Sequence, residues 1–226
     1  KGNGGTGRTS VEGERAKEFA PLQDDGSVVR NEGDLATQVG ERGKYRLGIG
    51  IVRLAGATIA RLDVVQEARP ICRELAADTG ETVNLAVLSD GAVLYLDQAA
   101  GATALQLHNW VGQRVPAHAT ANGRVLLSGL SDEQVVDLVG TELPTYTHAT
   151  MATAEALLDA LVGVRTDGLA VAVDELEVGL TAVAAPVRSL HGDIVASLSV
   201  SGPTFRLPTG PDADLAGRVR AAATEV

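Results

Sequence analysis

From Tyr45 onward the apolar positions fall into clear periods, whereas the residues before it show none. Ile49, Val52, Leu54, Ile59 and Leu62 predict a largely apolar helix over about Gly48–Arg61. Asp63, with Gln66 three positions on, predicts the N-cap of a second helix. That helix is expected to kink or restart near Pro70 and to run through Ile71 and Leu75 to a glycine stop at Gly80. Alternation then predicts strands over Thr82–Leu88 and Val93–Gln98, joined by Ser89-Asp90-Gly91, in which Asp-Gly is a strong hairpin signal. A less regular strand is expected over about Ala104–Trp110. Helices follow over Ala119–Leu130, from the capping box at Ser131–Gln134 to about Val139, and from Thr153 to about Arg165 before Gly168. Strands at Ala170–Asp174, Leu180–Val187 and Ile194–Ser201 and a helix from Asp212 complete the pattern.

Short connections between successive strands favour an antiparallel sheet with helices packed on it, an α+β fold. Residues 1–10, KGNGGTGRTS, read as a flexible arm, because glycine and short polar side chains cannot offset the entropy of ordering. Over residues 11–44 the apolar side chains are thinly scattered and Gly26, Gly33 and Gly40 interrupt any helix, so this stretch cannot build a compact three-helix unit.

Composition narrows the class of protein. With 45% apolar and 21% charged residues the chain resembles an ordinary globular protein, and no apolar run approaches the roughly 18–20 residues that cross a bilayer. No secretion leader opens it. The single cysteine, Cys72, excludes an intramolecular disulfide, fits a reducing cytosol, and lies in an apolar helical pattern that suits a buried filler. A net charge of −10 argues against nucleic acid, but the charge is unevenly divided. Residues 1–47 carry 8 basic and 8 acidic side chains, so of the 19 and 29 in the chain, 11 and 21 fall after them. The larger part is repelled by DNA, while the smaller part is free to approach it.

Candidate chemistry gathers at two places. Thr120 is placed to cap the helix that follows it, leaving the N–H groups of Ala121, Asn122 and Gly123 as a site for a carboxylate or as merely hydrated amides. In the last strand Ile194, Ala196, Leu198 and Val200 share one face, and Ser197, Ser199 and Ser201 the other. That hydroxyl stripe is either the wet face of a sheet or a set of ligand contacts. Ala182 and Ala184 share a face too, where small side chains either admit a helix or leave room for a ligand. Enzyme chemistry finds no support. No Gly-x-Ser-x-Gly elbow, phosphate loop or dinucleotide fingerprint is present, and His108, His118, His148 and His191 lack metal-ligand spacing. Asp174 and Glu175 are adjacent, so on a strand they point to opposite faces and cannot act as an acid/base pair. His118 suits a structural role better than a sensing one, and Arg114 and Arg124 either counter an acidic ligand or serve solvated or interface roles. No cofactor, metal or catalytic residue is expected.

The residues resemble one known family. Tyr45-Arg46-Leu47-Gly48 is similar to the end of the winged helix-turn-helix domain of IclR-type bacterial transcription regulators. Ala76 through Leu85 (AADTGETVNL) resembles that family's junction between a helix and its first sheet strand, and Gly112 through Arg124 (GQRVPAHATANGR) its effector-loop motif. Glu175–Gly179, Ala184-Ala185-Pro186-Val187 and Ser199-Val200-Ser201-Gly202-Pro203 complete the set, in order and at the family's spacing. The resemblance implies a winged helix-turn-helix over residues 1–47, only partly represented, a linker helix over 48–62, and a GAF/profilin-like antiparallel-sheet effector-binding domain over 63–226. It implies an effector pocket walled by Leu107 and Trp110, with Ala121 and Asn122 in the loop, then Ala172, Ala182, Ser199 and Ser201; the amide of Gly123 belongs with them. Trp110 is a pocket wall or, equally, part of the core or of a subunit interface. Alanine at 172 and 182 disfavours a very small polar effector such as a short keto acid and favours a larger organic acid, partly apolar or aromatic.

Fewer residues precede Tyr45 than the family's DNA-binding domain needs, and its recognition-helix pattern is missing. The expectation is a sequence that omits segments of that domain and joins the rest, in preference to a protein that has lost its DNA reader. Arg15, Lys17, Arg30, Arg42 and Lys44 are the candidate phosphate contacts, with Lys44 on the wing foremost. The expected partners are double-stranded operator DNA, a small-molecule effector and further copies of the chain, as a dimer or tetramer formed through the apolar linker helix; no membrane is expected. The alternative is a sensory or partner-binding module without DNA affinity.

Overall fold

A computed structural model describes residues 36–39, 44–48, 50–51, 63–102, 109–207 and 214–226. The chain divides into two compact units, Lys1–Thr58 and Ile59–Val226. In the first, strand β1 (Ala36–Val39) pairs antiparallel with β2 (Lys44–Leu47), Ala36 opposite Leu47 and Val39 opposite Lys44. The hydrophobic pattern does not announce β1, because four residues beside a glycine offer too few alternations. Of the apolar linker helix expected from Gly48, Gly48 is not helical, Gly50 and Ile51 are, and residues 49 and 52–62 lie outside the described residues.

The second unit is α+β. Its elements run α1 (Asp63–Thr79), β3 (Thr82–Ser89), β4 (Ala92–Ala99), β5 (Arg114–Pro116), α2 (Ala121–Leu127), α3 (Asp132–Val139), α4 (Ala154–Asp167), β6 (Ala170–Val173), β7 (Leu180–Arg188), β8 (Ile194–Pro203) and α5 (Asp214–Glu225). The six strands form one antiparallel sheet in the order β5-β4-β3-β8-β7-β6, so the first-half hairpin and the second-half meander meet at β3 and β8.

Local chemistry explains most of these boundaries. Asp90 and Gly91 both adopt positive φ, 47° and 74°, the geometry that twists a two-residue hairpin correctly. Ser131 caps α3 in a full capping box with Gln134, and Thr153 caps α4 by accepting from the amide of Ala156. Gly168, at φ 61°, ends α4 in the left-handed region. Pro70 lies inside a continuous α1, on its exposed side, where a missing backbone donor is least costly.

Period-2 alternation gives the sheet two buried faces. On one, Val83, Leu85, Val183, Ala185, Leu198 and Val200 pack against Val65, Ala68, Cys72 and Leu75 of α1 and Leu215, Val219 and Ala223 of α5. On the other, Ala86, Val93 and Tyr95 pack with Leu126, Leu127, Leu157 and Leu161. Fully buried leucines such as Leu85, Leu157 and Leu198 each contribute about 1.5–3 kcal/mol by leaving water. Cys72 is one of these core fillers, and burial, aided by the charge of Asp97, pushes its thiol up to about 12.

Of two expectations about the sheet, one falls largely outside the described residues and the other is corrected. Residues 103–108 of the strand expected at Ala104–Trp110 lie outside the described residues, and Asn109 and Trp110 are not in a strand. Among the described residues the edge strand beside β4 is β5, three residues of the presumed loop, with Val115 opposite Val93. Ile194 does not share a face with Ala196, Leu198 and Val200. Pairing jumps from Val187–Ala196 to Arg188–Ile194, a bulge at Val195 that turns Ile194 onto the opposite face, against Gly129.

Candidate functional site

The second sheet face is incompletely covered, and the gap is a pocket. The helix α2 crosses β6, β7 and β8 at Ala172, Ala184 and Ser197, close enough that Ala121, Val125, Ala170 and Ala184 pack together. Small side chains on β6 and β7 therefore serve both purposes weighed for them: Ala184 seats the helix, and Ala182, one step along the same face, borders open space. The empty space measures about 420 Å³ with its open mouth included, of which about 30 Å³ is room for the centre of a water-sized molecule.

Most of the residues singled out in the sequence converge on it. Ala121 and Asn122 come from the start of α2, Ala172 from β6, and Ala182 from β7. Ser199 and Ser201 come from β8, and Trp110 closes one wall, its ring tilted by 40° at 5.8 Å from that of Tyr95. A turn holds Trp110 in place: its carbonyl accepts from the amide of Gln113 at 2.8 Å, with Gly112 at φ 80° between them. Its own amide donates to Gln98 Oε1 at 3.3 Å. Leu107 lies outside the described residues, as do Arg15, Lys17, Arg30 and Arg42; Lys44 opens β2.

The amide arrangement differs from the one expected. Thr120 does cap α2, but it does so by accepting from the amide of Gly123 at 3.1 Å, so that N–H is committed to the protein. Gly123 is placed for packing, not for the pocket: a Cβ there would lie 2.0 Å from the carbonyl oxygen of Ala117. Asn122 points its amide nitrogen at Ser197 Oγ, 2.9 Å away, tying α2 to β8.

Six lining residues escaped sequence reasoning: Asn84, Tyr95, Ala119, Glu175, Leu176 and Leu180. Asn84 lies on β3 directly opposite Ser199, and its Nδ2 donates to Ser201 Oγ at 3.0 Å. Alternation between buried Val83 and Leu85 signals that it faces this side, and the pairing of β3 with β8 completes the argument. Glu175 is not on a strand. Asp174 takes φ 57° and starts a loop whose carbonyls at 174 and 175 accept from Thr147 Oγ1 and Thr150 Oγ1, each at 2.6 Å. Asp174 Oδ1 accepts from Thr204 Oγ1 and the amide of Gly179, both at 2.8 Å, which holds its carboxyl below the usual range.

That loop delivers Glu175 to Arg124. The guanidinium donates to Glu175 Oε1 at 2.7 Å and to the carbonyl of Val171 at 2.6 Å, with both side chains about nine-tenths buried. Burial pushes the Glu175 carboxyl up and the Arg124 guanidinium down, and their mutual attraction opposes both movements. Arg124 is thus an internal counter-charge. Arg114 lies elsewhere, donating to Ser89 and Asp90 at the hairpin turn. His118 is buried and bonded to the carbonyl of Pro144 at 2.8 Å, a structural position. Among the described lining residues the one charged group is Glu175. Among the described residues no three His, Cys, Asp or Glu gather as metal ligands would, and no helix is long and apolar enough to cross a membrane.

Residues 56–226 match the family model for the bacterial transcriptional regulator IclR C-terminal domain. The chain is 36% identical over 177 residues to the HTH-type transcriptional regulator XynR of Escherichia coli K12, spanning 78% of this chain and 69% of that protein. The fold is similar to that of a transcriptional regulator from Rhodococcus sp. RHA1, with a TM-score of 0.74, 28% identity, and coverage of 80% and 75%. It is also similar to an IclR homologue from Microbacterium hydrocarbonoxydans complexed with 4-hydroxybenzoate, at TM-score 0.71, 29% identity, and coverage of 85% and 78%.

Proposed function

The chain belongs to the IclR family of bacterial transcriptional regulators, and from that membership we propose that residues 63–226 bind a small organic acid which modulates operator binding. The observation carrying this reading is the hollow between α2 and the sheet, where Trp110, Asn122, Ala172, Ala182, Ser199 and Ser201 meet. Its walls combine aromatic and aliphatic surface with a few convergent polar groups, the composition of a small-molecule site. The complex of the Microbacterium relative with 4-hydroxybenzoate supports an aromatic acid as the class. Leu107 and the amides at 121 and 122 complete the proposed effector contacts, and the amide of Gly123 supports them from behind through the Thr120 cap.

The proposed regulator is a cytoplasmic dimer or tetramer that grips double-stranded operator DNA through residues 1–47. Lys44, Arg42, Arg30, Lys17 and Arg15 are its proposed phosphate contacts, and residues 48–62 its linker. Effector binding acts by favouring one arrangement of the paired DNA heads over another.

The test is a gel shift with the complete gene product and its own upstream DNA, with and without 4-hydroxybenzoate and related acids. Salt-sensitive specific binding that an acid alters is the expected result. Its absence, with the protein still folded, leaves a sensory module without DNA affinity. In thermal unfolding, an acid at 100 times its dissociation constant stabilises the fold by about 2.7 kcal/mol.

A further inference from the structure

Three buried side-chain atoms along the pocket have no hydrogen-bond partner: Asn84 Oδ1, Glu175 Oε2 and Ser199 Oγ. They come from β3, from the loop after β6, and from β8, and their residues line the same hollow. A fourth such atom, Arg124 Nε, belongs to a residue outside the lining. A buried polar atom left unsatisfied costs about 1–3 kcal/mol, so three around one hollow amount to half of a recognition site.

The kind of atom decides the chemistry of the other half. A carboxylate oxygen and an amide oxygen only accept, and a hydroxyl does both. Asn84 uses its amide nitrogen on Ser201, and Glu175 uses Oε1 on Arg124, so what remains open is the accepting oxygen of each. The occupant must bring donors. An ammonium is disfavoured, because Arg124 already balances Glu175 and a second buried cation would go uncompensated. A hydroxyl donates without charge and also accepts where Ser199 donates. A short keto acid presents acceptors alone and satisfies neither oxygen.

Building on the effector reading above, we infer that Asn84, Glu175 and Ser199 form a wall that reads a hydroxyl group on the ligand, so the sensor answers to hydroxylated organic acids. A site built to bond a hydroxyl discriminates strongly against the analogue without one, because the site's own polar atoms are then left unpaired.

The test is calorimetric titration of the full chain with matched pairs: 3-hydroxybenzoate against benzoate, 4-hydroxyphenylacetate against phenylacetate, and lactate against propionate. The expected result is that in at least one pair the hydroxylated member binds tenfold or more tightly than its partner. Ser199→Ala breaks no intramolecular bond of its Oγ, so it folds; it should shrink that ratio toward one. Glu175→Gln should do the same, and serves as the second variant. Binding with equal affinity within every pair overturns the hydroxyl wall and leaves the sensor pocket standing. Binding by no member of any pair sinks both. A crystal of the protein with a bound hydroxylated acid, showing only water on these three atoms, overturns the wall alone.

Discussion

Adding one methyl group at two glycines should move stability in opposite directions. At Gly123, in the first turn of α2, a Cβ would lie 2.0 Å from the carbonyl oxygen of Ala117 and 2.4 Å from its Cα. Real Cβ contacts stay beyond 3.0 Å, so the backbone of Ala117 and the start of α2 must separate by about 1 Å. Both residues are buried and neither neighbour is a flexible side chain. Overpacking of this kind costs about 1–3 kcal/mol, and a rigid backbone contact belongs at the upper end. For a domain of this size 1 kcal/mol shifts Tm by about 2–4 °C, so Gly123→Ala should melt about 6–12 °C below the wild type. At Gly163, exposed in the middle of α4, an added Cβ meets nothing within 4 Å. There alanine recovers the helix propensity lost to glycine, about 0.5–1 kcal/mol, and should raise Tm by about 1–4 °C. Scanning calorimetry of the two variants beside the wild type reads the contrast directly. If Gly123→Ala melts within about 2 °C of the wild type, or if both variants fall together, the close approach of α2 to Ala117 is not what orders the pocket.

Other substitutions probe the same region. Arg124→Met leaves Glu175 buried without its counter-charge and Val171 without a donor, and should cost about 3–5 kcal/mol in urea unfolding, part of it recovered by adding Glu175→Gln. Burial already holds the Glu175 carboxyl above its ordinary value, so its contribution to stability is full below the unfolded-state value and is lost as pH rises through the folded one. The Arg124→Met variant should therefore weaken more steeply than the wild type as pH rises above the ordinary carboxylate range in urea titrations; a parallel pH profile would refute the pairing. Thr120→Ala removes the oxygen that accepts from Gly123 and should cost about 1 kcal/mol in the same measurement. With its thiol pushed up to about 12, Cys72 should resist iodoacetamide at pH 8 in the folded protein and react once urea unfolds it; rapid labelling of the native state would contradict its burial.

The sequence was most readable where one local signal sufficed. Asp90-Gly91 specified its hairpin, and Ser131 and Thr153 their helix starts, because each rests on a few adjacent backbone groups. The serine stripe was assigned to the correct face because β8 is long and regular over Ala196–Ser201. Ile194 was misassigned because a bulge adds one residue to the count, and nothing in Asp193-Ile194-Val195 advertises it. The short β1 and β5 carry too little pattern to be seen, and β5 exists because its longer neighbour β4 supplies its hydrogen bonds. Pairings such as Arg124 with Glu175, 51 residues apart, depend on the packing of α2 against the loop after β6. For the same reason Asn84 and Glu175 were missed at the pocket: their role follows from sheet register and tertiary contact, not from periodicity.

The indole that walls the pocket is the protein's sole tryptophan. Excited at the red edge of its absorption, where tyrosine is silent, the whole chain emits from Trp110 alone. A molecule entering beside it must displace solvent or change the overlap with Tyr95, and either alters the intensity and colour of that emission. The domain thus contains its own optical gauge, which can follow occupancy in real time without any label.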